Sequence, residues 1–242
     1  MFEYRFYEVS AGRVAEEVAR MGAVAFNAVR EGASLFDHYG IPRPLAEWTA
    51  VAGARLPLYG YLLHWDSLRH RDTAFPAFWA DPAWHEIRDR TDEGGALVDR
   101  MENWLLAASS AWDLRTGDGA DTPIGGLHEM RIHHVLAGYS PHVTDYLRTI
   151  ELRQLQVLGA AVLGVFDVLI GPNMPAIVSF LAWPDFVTQQ FAMRRLDMEP
   201  RIKAQRDAWK REYGQLLVRE FEQTLLRPVP RSLPRPDFGM LR

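Results

Sequence analysis

The stretch EYRFYEVSAG occupies Glu3–Gly12, and EMRIHHVLAG occupies Glu129–Gly138. Glu, Arg, Ala and Gly recur at the first, third, ninth and tenth positions, 126 residues apart (129 − 3). Phe2–Val9 and Leu127–Val135 each alternate apolar with polar or aromatic side chains, the two-residue period of a half-buried strand. Helical patterns follow. The first carries Val14, Val18, Met21, Val24, Ala25 and Ala28. The second carries Val143, Tyr146, Leu147, Ile150 and Leu155, with Pro141 in its first turn.

Two strand pairs joined by Gly/Pro turns come next: Ala46–Val51 with Leu58–Trp65, and Gly164–Ile170 with Ala176–Trp183. A long helical stretch follows each, interrupted by DPAW at Asp81–Trp84 and by DMEP at Asp197–Pro200. A last strand repeats as ENWLL from Glu102 and EQTLL from Glu222. The order is βαββαβ, twice, which is the ferredoxin-like split βαβ unit. The predicted fold class is α+β: two such repeats packed sheet-to-sheet as an intramolecular dimeric α+β barrel. A four-stranded sheet with helices on one face leaves the other face to be covered, and a second copy in the same chain can cover it. The expected boundaries are 1–115 for the first repeat, 116–126 for a Gly-rich linker and 127–228 for the second repeat. A Pro/Arg-rich tail over 229–242 is expected to be extended or disordered.

Composition narrows the function classes. A chain of 242 residues with 48% hydrophobic and 24% charged residues suits a globular protein with a sizeable core. The net charge of −4 comes without a basic stripe, so no nucleic-acid partner is expected. Cysteine is absent, which removes disulfides, thiolate metal sites and cysteine nucleophiles. The N-terminus lacks the apolar core of a signal peptide, and the longest apolar run, Leu158–Leu169, is too short to span a bilayer. A cytoplasmic location without a membrane span is expected. Arginine far outnumbers lysine, which occurs only at Lys203 and Lys210, a bias that points to a GC-rich bacterial genome.

The sequence resembles the NIPSNAP domain. The resemblance rests on Glu-x-Arg-x-Tyr at Glu3–Tyr7 and on HWDSLRHRDTAFPAFWADPAW at His64–Trp84, its most specific stretch. The second copy keeps Glu129, Arg131, Gly138, the GVFDVLIGPN hairpin of Gly164–Asn173, and Trp183. It departs in placing His133 where the first has Tyr7, and Met-Glu between Asp197 and Pro200. The resemblance implies the dimeric α+β barrel fold as a tandem pseudo-dimer. It implies no common catalytic motif, because the family's best-known members are described through binding and trafficking. The wider barrel superfamily includes cofactor-free monooxygenases, lactone isomerases, small-molecule binders and haem enzymes, and fold alone does not choose among them.

Alternation puts Glu3, Arg5 and Tyr7 on one strand face and Glu129, Arg131 and His133 on the matching face of the second copy. The more apolar Phe2, Tyr4 and Phe6 are expected against the helices, leaving the Glu/Arg faces for a cavity between the sheets. Two readings of the ion pairs stand side by side: fixing sheet register, or an arginine holding an anionic or enolate oxygen. The expected catalytic set is His133 as proton carrier, Arg131 as oxyanion holder and Glu129 as orienter. The expected substrate-binding set is Glu3, Arg5, Tyr7, Tyr61 and Trp104, whose rings would favour a flat aromatic ligand.

No cofactor or metal is expected. HExxH and nucleotide-binding fingerprints are absent, and His70, His85 and His128 have no partner at metal spacing. His38-Tyr39 reads as a turn, and nothing marks a histidine for haem. The functional expectation is a small-molecule-binding barrel with a possible homo-oligomeric state. It would be a cofactor-free isomerase, cyclase or monooxygenase acting on an apolar, aromatic or enolisable metabolite, in a setting such as bacterial secondary metabolism. The alternative is a non-catalytic ligand-binding or protein-interaction protein.

Overall fold

The computed structural model describes residues 1–112 and 126–231. The predicted linker lies outside the described residues except for Gly126, and the tail does so from residue 232 onward. The chain forms two compact units, Met1–Leu105 with the segment from Val229, and Leu106–Pro228.

The first unit runs β1 (Phe2–Val9), α1 (Val14–Ala25), α2 (Leu35–His38), β2 (Ala46–Ala52), β3 (Leu58–His64), α3 (Leu68–Trp79), α4 (Pro82–Thr91) and β4 (Val98–Ala108). Its strands lie in the order β4-β1-β3-β2. The second unit runs β5 (Leu127–Val135), α5 (Ser140–Tyr146), a π-helical turn (Leu147–Glu151), α6 (Leu152–Val157), β6 (Ala161–Ile170), β7 (Ala176–Trp183), α7 (Phe186–Asp197), α8 (Pro200–Tyr213) and β8 (Val218–Pro228). Its order, β8-β5-β7-β6, repeats that of the first unit. Both units therefore have the expected βαββαβ order. His38 closes the one-turn helix α2 rather than lying in a plain turn.

Matched residues start matched helices. After Trp65, which follows β3, and Trp183, which ends β7, Ser67 accepts from His70 N and Asp185 accepts from Thr188 N, capping α3 and α7. Asp81 caps α4 through Ala83 N, followed by Pro82 in the first turn. In the second unit Glu199, not Asp197, takes this role ahead of Pro200. Gly214 ends α8 at φ 74°, a left-handed conformation that glycine adopts without a Cβ clash.

The structure corrects the expected sheet faces. Glu3 and Arg5 point at α3: Arg71 donates to Glu3, and the Arg5 guanidinium lies 4.5 Å from the Phe75 ring centroid. Glu129 and Arg131 likewise meet α7 through Gln189 and Met193. The charged faces thus lie under each unit's own helices, and Phe2, Tyr4 and Phe6 occupy the opposite face. The reason is partner supply. A buried ion pair needs every remaining lone pair and proton matched, and long helical side chains provide those matches. On the other face Gly60 makes room for Tyr4, because a Cβ there would stand 2.6 Å from the phenol oxygen.

Candidate functional site

Register places the charged side chains with ångström regularity. Arg5 lies opposite Tyr61 and Tyr7 opposite Tyr59. Arg131 lies opposite Ser179 on β7 and Gln223 on β8, and His133 lies opposite Phe221. Glu3 is fully buried and accepts from Arg5 Nη1 (2.8 Å), Trp65 Nε1 (2.9 Å) and two nitrogens of Arg71 (2.9 Å each). Glu129 accepts from Arg131 Nη1 (2.7 Å), Trp183 Nε1 (2.8 Å), Gln189 Nε2 (3.1 Å) and Gln223 Nε2 (2.8 Å). Both carboxylates are saturated. Their role is to hold the arginines and the strand-end tryptophans in place.

Each guanidinium also lies 4.5 Å from a phenylalanine ring centroid and donates to one thioether, with the two exchanged between helix and strand in the two copies. Arg5 lies over Phe75 of α3 and donates to Met101 Sδ of β4 (3.1 Å). Arg131 lies 4.5 Å from the Phe221 centroid of β8 and donates to Met193 Sδ of α7 (3.2 Å). Rings and sulfur both satisfy a flat cation in a dry setting.

The copies then diverge. In the first, Tyr7 and Tyr61 share a hydrogen bond between phenol oxygens at 2.8 Å, and Arg5 Nε donates to Tyr7 at 3.3 Å. In the second, His133 and Ser179 stand at those positions, and the π-helical turn brings in Glu151. Glu151 Oε1 accepts from Arg131 Nη2 (3.1 Å) and His133 Nε2 (3.0 Å), while Oε2 accepts from Tyr146 (2.7 Å). Burial by itself would raise the Glu151 carboxyl. His133, Arg131 and the Tyr146 hydroxyl outweigh it and hold the group well below its ordinary 4.5. Burial, followed by the Glu151 charge, pushes the Tyr146 phenol far up.

An ionised carboxylate only accepts, so His133 Nε2 carries the proton donated to Glu151. In the neutral ring Nδ1 is then a lone-pair acceptor. Nδ1 is buried without a partner among the described residues, as are Arg131 Nε and Ser179 Oγ on the same sheet face. Unsatisfied buried polar atoms are rare, and three together on one face call for a ligand or water. Arg131 and His133 line a cavity of about 450 Å³ in the second unit, with Tyr146, Glu151, Trp209 and Phe221 among its other walls.

Of the residues expected from sequence, Arg131 and His133 line this cavity, and Glu129 sits behind them. Arg5, Tyr7 and Tyr61 line a separate cavity of about 250 Å³ in the first unit, with Glu3 behind Arg5. Trp104 belongs with neither. It lies on the opposite sheet face, 5.0 Å from Phe6 between ring centroids, so the expected grouping of Trp104 with Tyr61 is corrected. Alternation explains this: the β3 tyrosines share Arg5's face, whereas Trp104 shares that of Phe6.

Glu151 was missed by sequence reasoning. Its signal was the five-residue gap between Ile150 and Leu155 in the helical pattern, the mark of a π-type insertion. His134, next to His133 on β5, pairs with Glu222 at 2.5 Å. Among the described residues no group of three or more His, Cys, Asp or Glu is placed to hold a metal ion. No described helix is long and apolar enough to cross a membrane.

The NIPSNAP family model matches residues 2–111. Residues 2–111 are a NIPSNAP domain. No curated protein matches the chain in sequence. Among solved structures, an anthrone oxidase-like protein is similar at 13% identity and TM-score 0.54, covering 96% of this chain and 94% of that one. A chlorite dismutase mutant from Candidatus Nitrospira defluvii is similar at 8% identity and TM-score 0.51, covering 95% and 91%. These likenesses show the fold, that of the dimeric α+β barrel proteins, and the NIPSNAP domain supplies the first repeat of it.

Proposed function

We propose that the cavity of the second unit binds a small apolar, aromatic or enolisable molecule and runs cofactor-free acid–base chemistry on it. The observation that carries this reading is His133 Nδ1, buried, unpartnered and backed through Nε2 by an ionised carboxylate. A base oriented by a carboxylate through its far nitrogen is the arrangement that acyl-transfer triads use, without their nucleophile. Nδ1 removes a proton from carbon or a phenolic oxygen, and the imidazolium formed is stabilised by Glu151. Arg131, with Nε–H unclaimed, supplies a donor to the oxyanion that develops. Glu129 is a positioning residue. It fixes the guanidinium and touches no substrate.

Returning the proton to a different atom gives an isomerisation or cyclisation. If the carbanion instead meets dioxygen, the electrons for oxygenation come from the substrate itself. An anthrone is a flat enolisable phenolic of the class proposed, and the anthrone oxidase-like neighbour shares the fold.

The test is hydrogen–deuterium exchange at the acidic C–H of 2-tetralone and anthrone in D2O, followed by proton NMR. The parent should accelerate exchange above buffer, and His133→Phe should abolish the acceleration while melting as a folded protein. Binding of both probes with exchange no faster than in buffer would contradict catalysis and leave a ligand-binding protein.

A further inference from the structure

The cavity of the first unit has a different chemistry from the one just assigned. Its walls are Tyr7, Tyr61, Phe75, Phe78, Trp79 and Trp84, closed by Met101 and other apolar side chains. The groups that would move protons in the second unit are neutralised here. Tyr7 and Tyr61 share one hydrogen bond, and Arg5 is engaged at Nε, Nη1 and Nη2 by Tyr7, Glu3 and Met101. Arg20 is likewise engaged by Glu17, Thr91 and Asp92.

One buried carboxylate oxygen also stands outside these pairs. Both contacts from Arg20, at 2.8 and 2.7 Å, fall on Glu17 Oε2, which leaves Glu17 Oε1 outside that ion pair. Glu17 is 2% exposed and lines the cavity. The second copy has Val143 at the matched position (143 − 126 = 17), so this acceptor belongs to the first unit alone.

We infer that the first unit is a second ligand site, specific for a neutral, planar one- or two-ring aromatic molecule bearing an O–H or N–H donor. The rings supply flat apolar contact, the about 250 Å³ volume limits size, and Glu17 Oε1 accepts the donor. A carboxylate ligand finds no unengaged guanidinium edge to neutralise it, which selects against anions. The site binds rather than reacts, and it does not depend on the proposal for the second unit.

The experiment titrates the full-length protein with 2-naphthol, naphthalene and 2-naphthoate, reading indole N–H resonances in 1H–15N spectra. Trp79 and Trp84 report the first unit, and Trp209 reports the second. Trp79 and Trp84 should shift with 2-naphthol at an affinity at least tenfold above that for naphthalene, the difference a buried hydrogen bond makes. They should not respond to 2-naphthoate. Met101→Trp, which fills the cavity, should remove the 2-naphthol response, and Val98→Phe serves should the first variant fail to fold. Silent Trp79 and Trp84 signals, equal affinity for naphthol and naphthoate, or a response that survives both fillings would each overturn the inference.

Discussion

Arg131 and Glu151 together decide whether the second cavity is chemically poised. Arg131→Ala leaves Glu129 and Glu151 buried with a cation removed, so the loss should be about 3–5 kcal/mol by chemical denaturation. Glu151 also sets an acid limit. Its folded pKa is depressed, so its contribution is fully present above its ordinary value of 4.5 and is lost as pH falls further. The stability difference between the parent and Glu151→Gln should therefore shrink as pH drops from about 5 to about 3. Glu17 has the opposite sign. Burial raises it from 4.5 to about 7, against the pull of Arg20, so the folded state holds the proton longer than the unfolded chain. Stability due to Glu17 falls as pH rises through that interval. Relative to the parent, Glu17→Gln should gain stability between about pH 4.5 and about pH 7, read from paired denaturation curves.

At the scale of elements, the π-helical turn is what separates the two copies. One extra residue in the helix after β5 turns Glu151 toward His133, where a regular helix would present an apolar side chain. Deleting Thr149 should restore α-helical winding and swing Glu151 by roughly 100° about the axis, since a turn holds 3.6 residues. The variant should keep its far-UV circular dichroism and lose the exchange activity. Retained activity would show that Glu151 is not the orienting group.

Strands, helices and their order were legible from the alternation of Glu3–Val9 and Glu129–Val135 and from the capping residues. The direction of the faces was not. Both faces of β1 are buried, so hydrophobic patterning could not say which one met the helices. The partners that settle it, Arg71 for Glu3 and Gln189 for Glu129, lie 68 and 60 residues away. Such pairings appear only once the chain is folded.

Taken whole, the chain writes one unit twice and lets the side chains of the two copies diverge. The shared part is the saturated glutamate with its arginine and tryptophan, and the ring and thioether exchanged between Phe75/Met101 and Met193/Phe221. The divergent part is Tyr7 and Tyr61 against His133 and Ser179, where a closed phenol pair gives way to an open base. The central claim is that His133 presents an unprotonated Nδ1 to the cavity of the second unit because Glu151 holds its Nε2–H. Long-range 1H–15N spectra of the full chain labelled at histidine nitrogens test it most directly. His133 Nε2 should carry a proton, and its Nδ1 resonance should move on adding 2-tetralone. A His133 ring protonated at Nδ1 only, or one indifferent to Glu151→Gln, would contradict the account.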